Sequence, residues 1–469
     1  MTHRSVHAPA KRTTPSKGVE RRPGRGRNPS APAPIVWLPR ALLIAAGVGL
    51  VLTLALAVSQ ESHAILSAPG GLFDAIGRVS GLVGAYLMLI MVILVARVPW
   101  IERSVGQDRL VRWHRTLGGW PIVLIAVHIV TVTLGYAKVT HSGPVAQFLT
   151  FIFHYPDILA AAVGFALLVA AGVTSYRAVR RQLKYETWWV VHLYIYLGLT
   201  LAFAHQITTG IMFRGHPLNR LVWTALWLAG ALVVVGSRLV APALRNARLQ
   251  IRVESVVQVS PNVYAITLKG RGVGRLAVSG GQFFQWRFMA PGLWWHSHPY
   301  SLSAMPRPPY LRITVKALGD QSAQVARLAR GTRVIVEGPY GVFTRHALVS
   351  DQATLIGAGV GITPLRALVE DLPKNVKVAA IVRASTKADV VHGDEVAALV
   401  KSRNGIFHEI IGSRRHARLS AIELRQLIPN IAEGDVYVCG PDGFATEIVR
   451  ASTMLGIPTE RIHVEDFSF

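Results

Sequence analysis

The sequence predicts a membrane all-α six-helix bundle, followed by an antiparallel β-barrel and then an α/β unit with a parallel sheet. Three observations predict it. Six apolar runs fall before residue 240, each close to the ~20 residues that cross a bilayer as a helix. From Gln250 the texture changes to short segments of period-two alternation between Gly/Pro turns, the mark of an antiparallel barrel. From Gln352 strands alternate with helical stretches, as they do around a parallel sheet.

Composition agrees. The chain has 469 residues, room for about three domains at ~100–200 residues each. Hydrophobic residues make up 51% and mean hydropathy is +0.37, with the excess concentrated in the first half. A net charge of +25 would suit a nucleic-acid partner. Here the basic residues flank apolar segments, so the charge reads as membrane topology and no nucleic acid is expected. The one cysteine, Cys439, excludes an intramolecular disulfide and any Cys-based zinc or iron–sulfur site.

Residues 1–38, rich in Arg, Pro, Gly and Ser, form a disordered basic tail. Arg21-Arg22 lies too far from the first apolar run to act as a twin-arginine signal, so a retained tail is expected. The runs are Ala41–Ser59, Val79–Ala96, Leu117–Tyr136, Ile158–Tyr176, Trp188–Ala204 and Leu221–Ser237. The tail and the second, fourth and last connections carry most of the Arg and Lys: Arg97, Arg103, Arg109, Arg112 and Arg115, then Arg177, Arg180, Arg181 and Lys184, then Arg238, Arg245 and Arg248. The intervening loops carry none, then only Lys138, then Arg214 and Arg220. The positive-inside rule puts both termini in the cytoplasm of a multi-pass protein of the plasma (inner) membrane. The expected domains are the bundle at 39–242, the barrel at 248–346 and the α/β unit at 350–469.

Four histidines lie in or beside the bundle's apolar runs, where an ionisable residue is costly and usually functional. His114 and His128 are fourteen residues apart on the third helix, His192 and His205 thirteen apart on the fifth. Both helices start inside, so His114 pairs with His192 by depth and His128 with His205. Histidine is a common axial ligand of haem iron. Fourteen residues span ~21 Å of helix, ample for two stacked macrocycles, an electron path across the bilayer. One detail resists: at 3.6 residues per turn the first pair is offset by ~40° and the second by ~140°. A kink in the fifth helix, an irregular winding or tilted haems would each meet it.

The C-terminal half carries five motifs. His298-Pro299-Tyr300-Ser301-Leu302-Ser303 sits on a barrel strand; an aromatic followed by hydroxyls suits a flavin, and also suits an ordinary strand edge. Gly319-Asp320-Gln321-Ser322 precedes a helix and could hold a pyrophosphate on backbone amides and Ser322, or be a plain helix cap. Gly357-Ala358-Gly359-Val360-Gly361-Ile362-Thr363-Pro364 follows strand Thr354–Ile356 and opens a helix, where glycines let the backbone approach a pyrophosphate. Its spacing is not G-x-G-x-x-G. Glu337-Gly338-Pro339-Tyr340-Gly341 is a tight turn between the two domains, and Val438-Cys439-Gly440-Pro441 ends a strand at the ligand edge of such a sheet. Cys439 is either buried there or touches a nicotinamide.

Together these residues resemble the NADPH oxidase and ferric reductase superfamily, from about Val79 to Phe469. The family places thirteen residues between the haem-ligand histidines of one helix and twelve between those of another, as His114/His128 and His192/His205 do. Its flavin motif H-P-F-[ST]-[LIV]-[ST] is met with Tyr300 for Phe, its G-P-[FY]-G by Gly338 to Gly341, its G-x-G-x-G-x-T-P by Gly357 to Pro364, and its C-G-P by Cys439, Gly440 and Pro441. The chain ends Phe467-Ser468-Phe469, where the family has a flavin-covering aromatic, and Arg78 stands where the family has an arginine beside the outer haem.

The resemblance implies a barrel that binds FAD and an α/β domain that binds NAD(P). FAD contacts are implied at His298, Pro299, Tyr300, Ser301, Ser303, Lys316, Gly319, Ser322, Gly338 and Gly341. Nucleotide contacts are implied at Gly357, Gly359, Gly361, Thr363, Pro364, Arg383, Gly440 and Pro441, with Cys439 and Phe469 at the hydride-transfer site. It implies two b-type haems on the four histidines, and electrons passing from NADPH (NADH being open) to an outside acceptor, a ferric chelate or O2. The alternative is an electron-transfer component that serves a periplasmic partner protein. The acceptor and any homo-oligomer stay open. No calcium-binding hand precedes the first helix, so constitutive activity is expected. Arg78, Lys138, Arg214 and His216 make the outer face mildly basic.

Overall fold

The structure, a computed structural model, describes residues 31–413 and 418–465. Most of the basic tail and the aromatics Phe467 and Phe469 lie outside the described residues. The described end of the tail is packed: His346 Nε2 donates to Ala31 O at 3.2 Å and Ile35 N to Ser104 Oγ at 3.0 Å.

Among the described residues, six helices are long and apolar enough to cross a membrane: Leu38–Val58, Gly71–Leu94, Arg109–Thr140, Ile158–Ser175, Glu186–Thr209 and Pro217–Leu249. The third starts well before its apolar run. The amphipathic segment Gln107–Leu117 continues into Gly119–Thr140 through Gly118, whose φ of −60° and ψ of −22° are helical. The sixth runs on through a π-helical turn, Gly236–Val240, to Leu249. A short apolar helix, Pro144–His154, has no counterpart in the sequence reading. Large apolar side chains stay exposed along the bundle, Ile44 at 66% and Leu232 at 70% among them; on a soluble protein so much exposed apolar surface would be a liability, whereas here it is the face lipid covers. The second helix packs on the third and the fourth on the fifth. Gly164 makes the latter contact possible: a Cβ there would lie 2.5 Å from Gly198 O, the small-residue contact by which membrane helices pack closely.

Six antiparallel strands follow: β1 (Arg252–Ser260), β2 (Val263–Lys269), β3 (Phe283–Phe288), β4 (His298–Ser301), β5 (Tyr310–Lys316) and β6 (Val334–Tyr340). They form two three-stranded sheets, β1-β2-β5 and β4-β3-β6. The sheets touch at both edges through single bridges, Arg252↔Arg333 and Leu302↔Ile313. The expected barrel is therefore two sheets around one core, without a continuous closed ladder. Prolines at 299, 306, 308 and 309 offer no N–H along the β4–β5 edge, which limits that seam. Phe284, Trp286 and Phe288 on β3 are fully buried, each worth ~1.5–3 kcal/mol. Trp286 Nε1 donates to Tyr300 O at 2.8 Å, which holds β4 against β3.

The last five strands, β7 (Gln352–Ala358), β8 (Lys377–Ala384), β9 (Ile406–Ile411), β10 (Asp435–Cys439) and β11 (Ile462–Glu465), make a parallel sheet in the order β11-β10-β7-β8-β9. Apolar clusters cover both faces, as a parallel sheet requires. The chain moves outward from β7 to β9 and returns on the other side at β10. The strand order reverses between β7 and β10, the place where such sheets bind ligands.

Candidate functional site

The third and fifth membrane helices bring the four histidines into two facing pairs. The ring centres of His114 and His192 are 6.2 Å apart, those of His128 and His205 6.4 Å. The fifth helix is uninterrupted from Tyr185 to Thr209. The third helix passes through Gly118 with helical torsions, and the two pairs differ in interplanar angle, 74° against 40°.

The imidazoles are also oriented. His128 Nδ1 lies 2.7 Å from Gly77 O, and His114 Nδ1 3.1 Å from Met91 O. A carbonyl only accepts, so Nδ1 carries the proton and Nε2 keeps its lone pair. His192 Nδ1 is 3.2 Å from Ser175 Oγ. That hydroxyl donates to Ala171 O at 2.7 Å and accepts from Trp188 Nε1 at 3.0 Å, so His192 donates as well. His205 Nδ1 is buried without a hydrogen-bond partner. Two metal–imidazole bonds of ~2.0–2.1 Å, each extended by an imidazole radius of about 1.1 Å, put ring centres about 6.2 Å apart. Gaps of this size would admit one metal ion held between the two imidazoles of each pair. Among the described residues no three His, Cys, Asp or Glu side chains come together, so neither pair belongs to a larger cluster of protein ligands.

Arg78 follows Gly77 at the far end of the second helix. It is held by Glu61 Oε1 at 2.6 Å, with Glu61 only 9% exposed. Glu61 Oε2 and Asp74 Oδ1 are buried nearby without hydrogen-bond partners. The mildly basic face read from Arg78 and Lys138 thus contains two carboxylates. Lys138 itself sits 4.6 Å over the Phe73 ring.

In the β domain, His298 from β4 and the turn Gly319–Ser322 line one cleft. The His298 and Tyr300 rings lie nearly parallel, 6° apart with centres at 5.8 Å. Burial pulls the His298 imidazole down to about 4, so it is neutral at physiological pH, and burial pushes the Tyr300 phenol up. His298 Nε2 and Ser301 Oγ are buried with no hydrogen-bond partner. Such orphans are uncommon, and here they lie on the strand expected to hold the flavin. Ser322 Oγ accepts from Gly319 N at 3.0 Å and donates to Gly319 O at 2.9 Å, so it caps its own turn while lining the cleft. Ser303 is fully buried, its hydroxyl accepting from Arg312 Nε at 3.1 Å. Lys316 stands exposed at the end of β5, paired in register with Val263. Gly338, Pro339 and Gly341 sit at the end of β6, beside Phe283 and Phe284.

At the parallel sheet's edge, the loop after β7 and the loop after β10 touch. A Cβ on Gly361 would lie 2.3 Å from Cys439 O; only glycine lets the two loops meet. Thr363 Oγ1 donates to Val360 O at 2.6 Å, which shapes the loop through Gly357 and Gly359 into the helix Ile362–Asp371 that holds Pro364. Gly440 packs on Phe444 and Ala358, and Pro441 caps the helix after β10. Cys439 is fully buried on β10. Arg383 lies at the end of β8 in register with Ala358. Lys387 is committed to Glu409 at 2.5 Å. Phe469 lies outside the described residues.

Sequence reasoning missed Ser175 and Trp188. Trp188 stands one turn before His192 and stacks on it with ring centres 5.2 Å apart; the i, i+4 spacing was the available signal. It also missed Trp294 and Trp295, exposed and stacked at 4.3 Å. Their loop comes close to Gln324, since a Cβ on Gly292 would lie 2.9 Å from Gln324 Oε1.

Residues 80–203 match the family model of the ferric reductase like transmembrane component, and residues 248–344 that of an FAD-binding domain. The chain is 28% identical to an NADPH oxidoreductase of Mycobacterium tuberculosis over 199 residues, 40% of this chain and 52% of that protein. It is 30% identical to a flavohemoprotein of Deinococcus radiodurans over 236 residues, 46% of this chain and 58% of that protein. The chain thus spans little more than half the length of these relatives. Among solved structures, it is similar to the flavohem-like FAD/NAD binding domain of a nitric oxide dioxygenase from Vibrio cholerae, with a TM-score of 0.39 and 22% identity over 47% of this chain and 99% of that one.

Proposed function

We propose that this chain, in which a ferric reductase-like transmembrane component precedes an FAD-binding domain, is a transmembrane oxidoreductase. It carries electrons from cytoplasmic NADPH through FAD and two bis-histidine b-type haems to an acceptor outside, a ferric chelate or O2. The observation that carries the reading is the pair of facing imidazoles repeated at two depths, with ring centres 6.2 and 6.4 Å apart and three of the four Nδ1 atoms hydrogen-bonded away from the gap.

When bound, a flavin takes hydride and releases electrons singly, and haem iron carries one at a time. The chain's own residues do the holding. His114, His128, His192 and His205 would hold the haem irons, and Gly77 O, Met91 O and Ser175 Oγ fix the tautomer of His128, His114 and His192. With two protein nitrogens committed to each iron, a haem so held would have no free site for the acceptor and would pass electrons to it without binding it. His298, Tyr300 and Ser301 would face a bound flavin. Gly319 and Ser322 would hold its pyrophosphate. Gly357, Gly359 and Gly361 let a nucleotide pyrophosphate approach the helix N-terminus at Ile362, with Gly440 and Pro441 opposite and Arg383 towards the 2′-phosphate.

The test is anaerobic addition of NADPH to detergent-purified protein. Flavin absorbance should bleach and the haem bands should then shift to their reduced positions. Flavin bleaching with no haem band at all would refute the reading. Turnover of ferric chelate or O2 by the purified chain alone separates direct reduction from service to a periplasmic partner protein.

A further inference from the structure

The motif Glu337-Gly338-Pro339-Tyr340-Gly341 does more than turn the chain beside a flavin. Its first and fourth side chains reach into the membrane domain. Arg97, just past the second membrane helix, donates from Nη1 to Glu337 Oε2 at 2.7 Å. The same guanidinium lies 5.3 Å over the Tyr340 ring, a cation–π contact. Both partners of the ion pair are 21% exposed, so the contact is largely screened from water.

The surrounding chain is built to hold Arg97 there. Its φ of 59° is left-handed, unfavourable for a residue with a Cβ, and its neighbours fix it. Ala96 O accepts from Ser237 Oγ at 2.5 Å, a bond from the π-helical turn of the sixth helix. Farther along that helix, Asn246 pairs twice with Val336 on β6, Nδ2 to O at 2.9 Å and N to Oδ1 at 2.8 Å. Gly106, at the end of the short helix Pro99–Val105, packs against Val342 just past the motif. Membrane loop, sixth helix and β6 are thus laced together at one place.

That place is tied to both expected centres. On one side, Tyr340 packs on Phe283 with ring centres 5.8 Å apart, and Phe283 is paired in register with Ser301 of the flavin strand. On the other side, Arg97 lies six residues beyond Met91, whose carbonyl orients His114. One contact therefore links the strand expected to hold the flavin to the backbone that orients the inner histidine.

We propose that the Arg97–Glu337 pair, capped by Tyr340, is the clamp that seats the flavin domain against the inner histidine pair and so sets the gap electrons cross. This rests on the reading of the histidines as haem ligands. Arg97 and Glu337 are positioning residues, acting through the contact they make with each other and with Tyr340. A shift of about 1 Å between reacting groups can cost ~10²-fold in rate, so a loosened clamp should slow one step only.

The experiment is stopped-flow reduction of the full-length protein by NADPH, following flavin and haem bands separately in wild type, Arg97→Gln, Glu337→Gln and the swap Arg97→Glu/Glu337→Arg. Flavin bleaching should keep its wild-type rate in all four. Haem reduction should slow by about tenfold to hundredfold in the single variants and recover at least in part in the swap. Haem and FAD content, measured first, separates the two levels of the argument. Wild-type protein without haem would refute the histidine reading, whereas full haem content with wild-type haem reduction in both single variants would refute the clamp alone. If a single variant loses cofactor, the swap decides: restored content with fast haem reduction supports the clamp, and no recovery in content or rate overturns it.

Discussion

His192 Nδ1 lies 3.2 Å from Ser175 Oγ, and the same hydroxyl accepts the indole proton of Trp188. Ser175 thus orients one inner imidazole from the neighbouring helix, and a hydrogen bond of this kind makes a metal-bound imidazole more basic. Ser175→Ala should remove that effect at the inner site only. The inner haem's midpoint potential should rise, because the ferric state loses electron donation, while the outer one stays put. Spectroelectrochemical titration resolves the two. Equal movement of both midpoints, or of neither, would speak against the pairing.

Arg78 and Glu61 make opposite predictions at the far end of the bundle. Their contact at 2.6 Å neutralises much of the arginine's charge. Arg78→Ala should lower the outer haem's potential and slow reduction of every external acceptor, leaving transfer from NADPH to flavin intact. Glu61→Gln should free the positive charge and raise that potential. The assays are ferric-chelate reduction, and cytochrome c reduction with and without superoxide dismutase. Slowing of one acceptor alone in Arg78→Ala would assign Arg78 to a substrate pocket.

Arg383, in register with Ala358 at the end of β8, is placed to meet a 2′-phosphate. Wild type should prefer NADPH to NADH in kcat/KM, and Arg383→Ala should reduce that ratio by about tenfold or more. An NADH preference in wild type, or an unchanged ratio in the variant, would count against the assignment.

Glu102 offers a pH test. It is 4% exposed, and burial pushes its carboxyl up from 4.5 to about 7. Between those values the folded state keeps a proton that the unfolded state has released. Stability therefore falls as pH rises through that window and stays low above it. Glu102→Gln should barely change thermal stability near pH 5 and should raise it near pH 8, by on the order of 3 kcal/mol at most. Equal melting shifts at both pH values would mean the carboxyl is not held neutral in the fold.

Much of this architecture is legible in the sequence. Apolar run length marks the six helices, because a bilayer demands length, and Val263–Lys269 and Phe283–Phe288 are bounded by clear turns. The start of the third helix is not legible: Gln107–Leu117 is amphipathic, so hydropathy sees only its apolar continuation, although the sequence reading still puts His114 on that helix. The open seam between the two β sheets depends on strand register, which alternation does not encode. Within the site, the four histidines and the glycine loops stand out because few other roles fit them. Ser175, Glu61 and Arg97 do not, because a serine, a carboxylate or an arginine near a helix end is ordinary until its partner from a distant segment is in view.

The central claim is that the four histidines hold two haems in depth-matched pairs. Pyridine-haemochrome titration of purified protein measures haem per chain directly. The account predicts two in wild type. It predicts about one in His128→Ala and in His205→Ala, with the remaining haem still reduced by NADPH. In His114→Ala and His192→Ala it predicts about one, with that haem no longer reduced through the flavin. No haem in wild type, or two in all four variants, would contradict it.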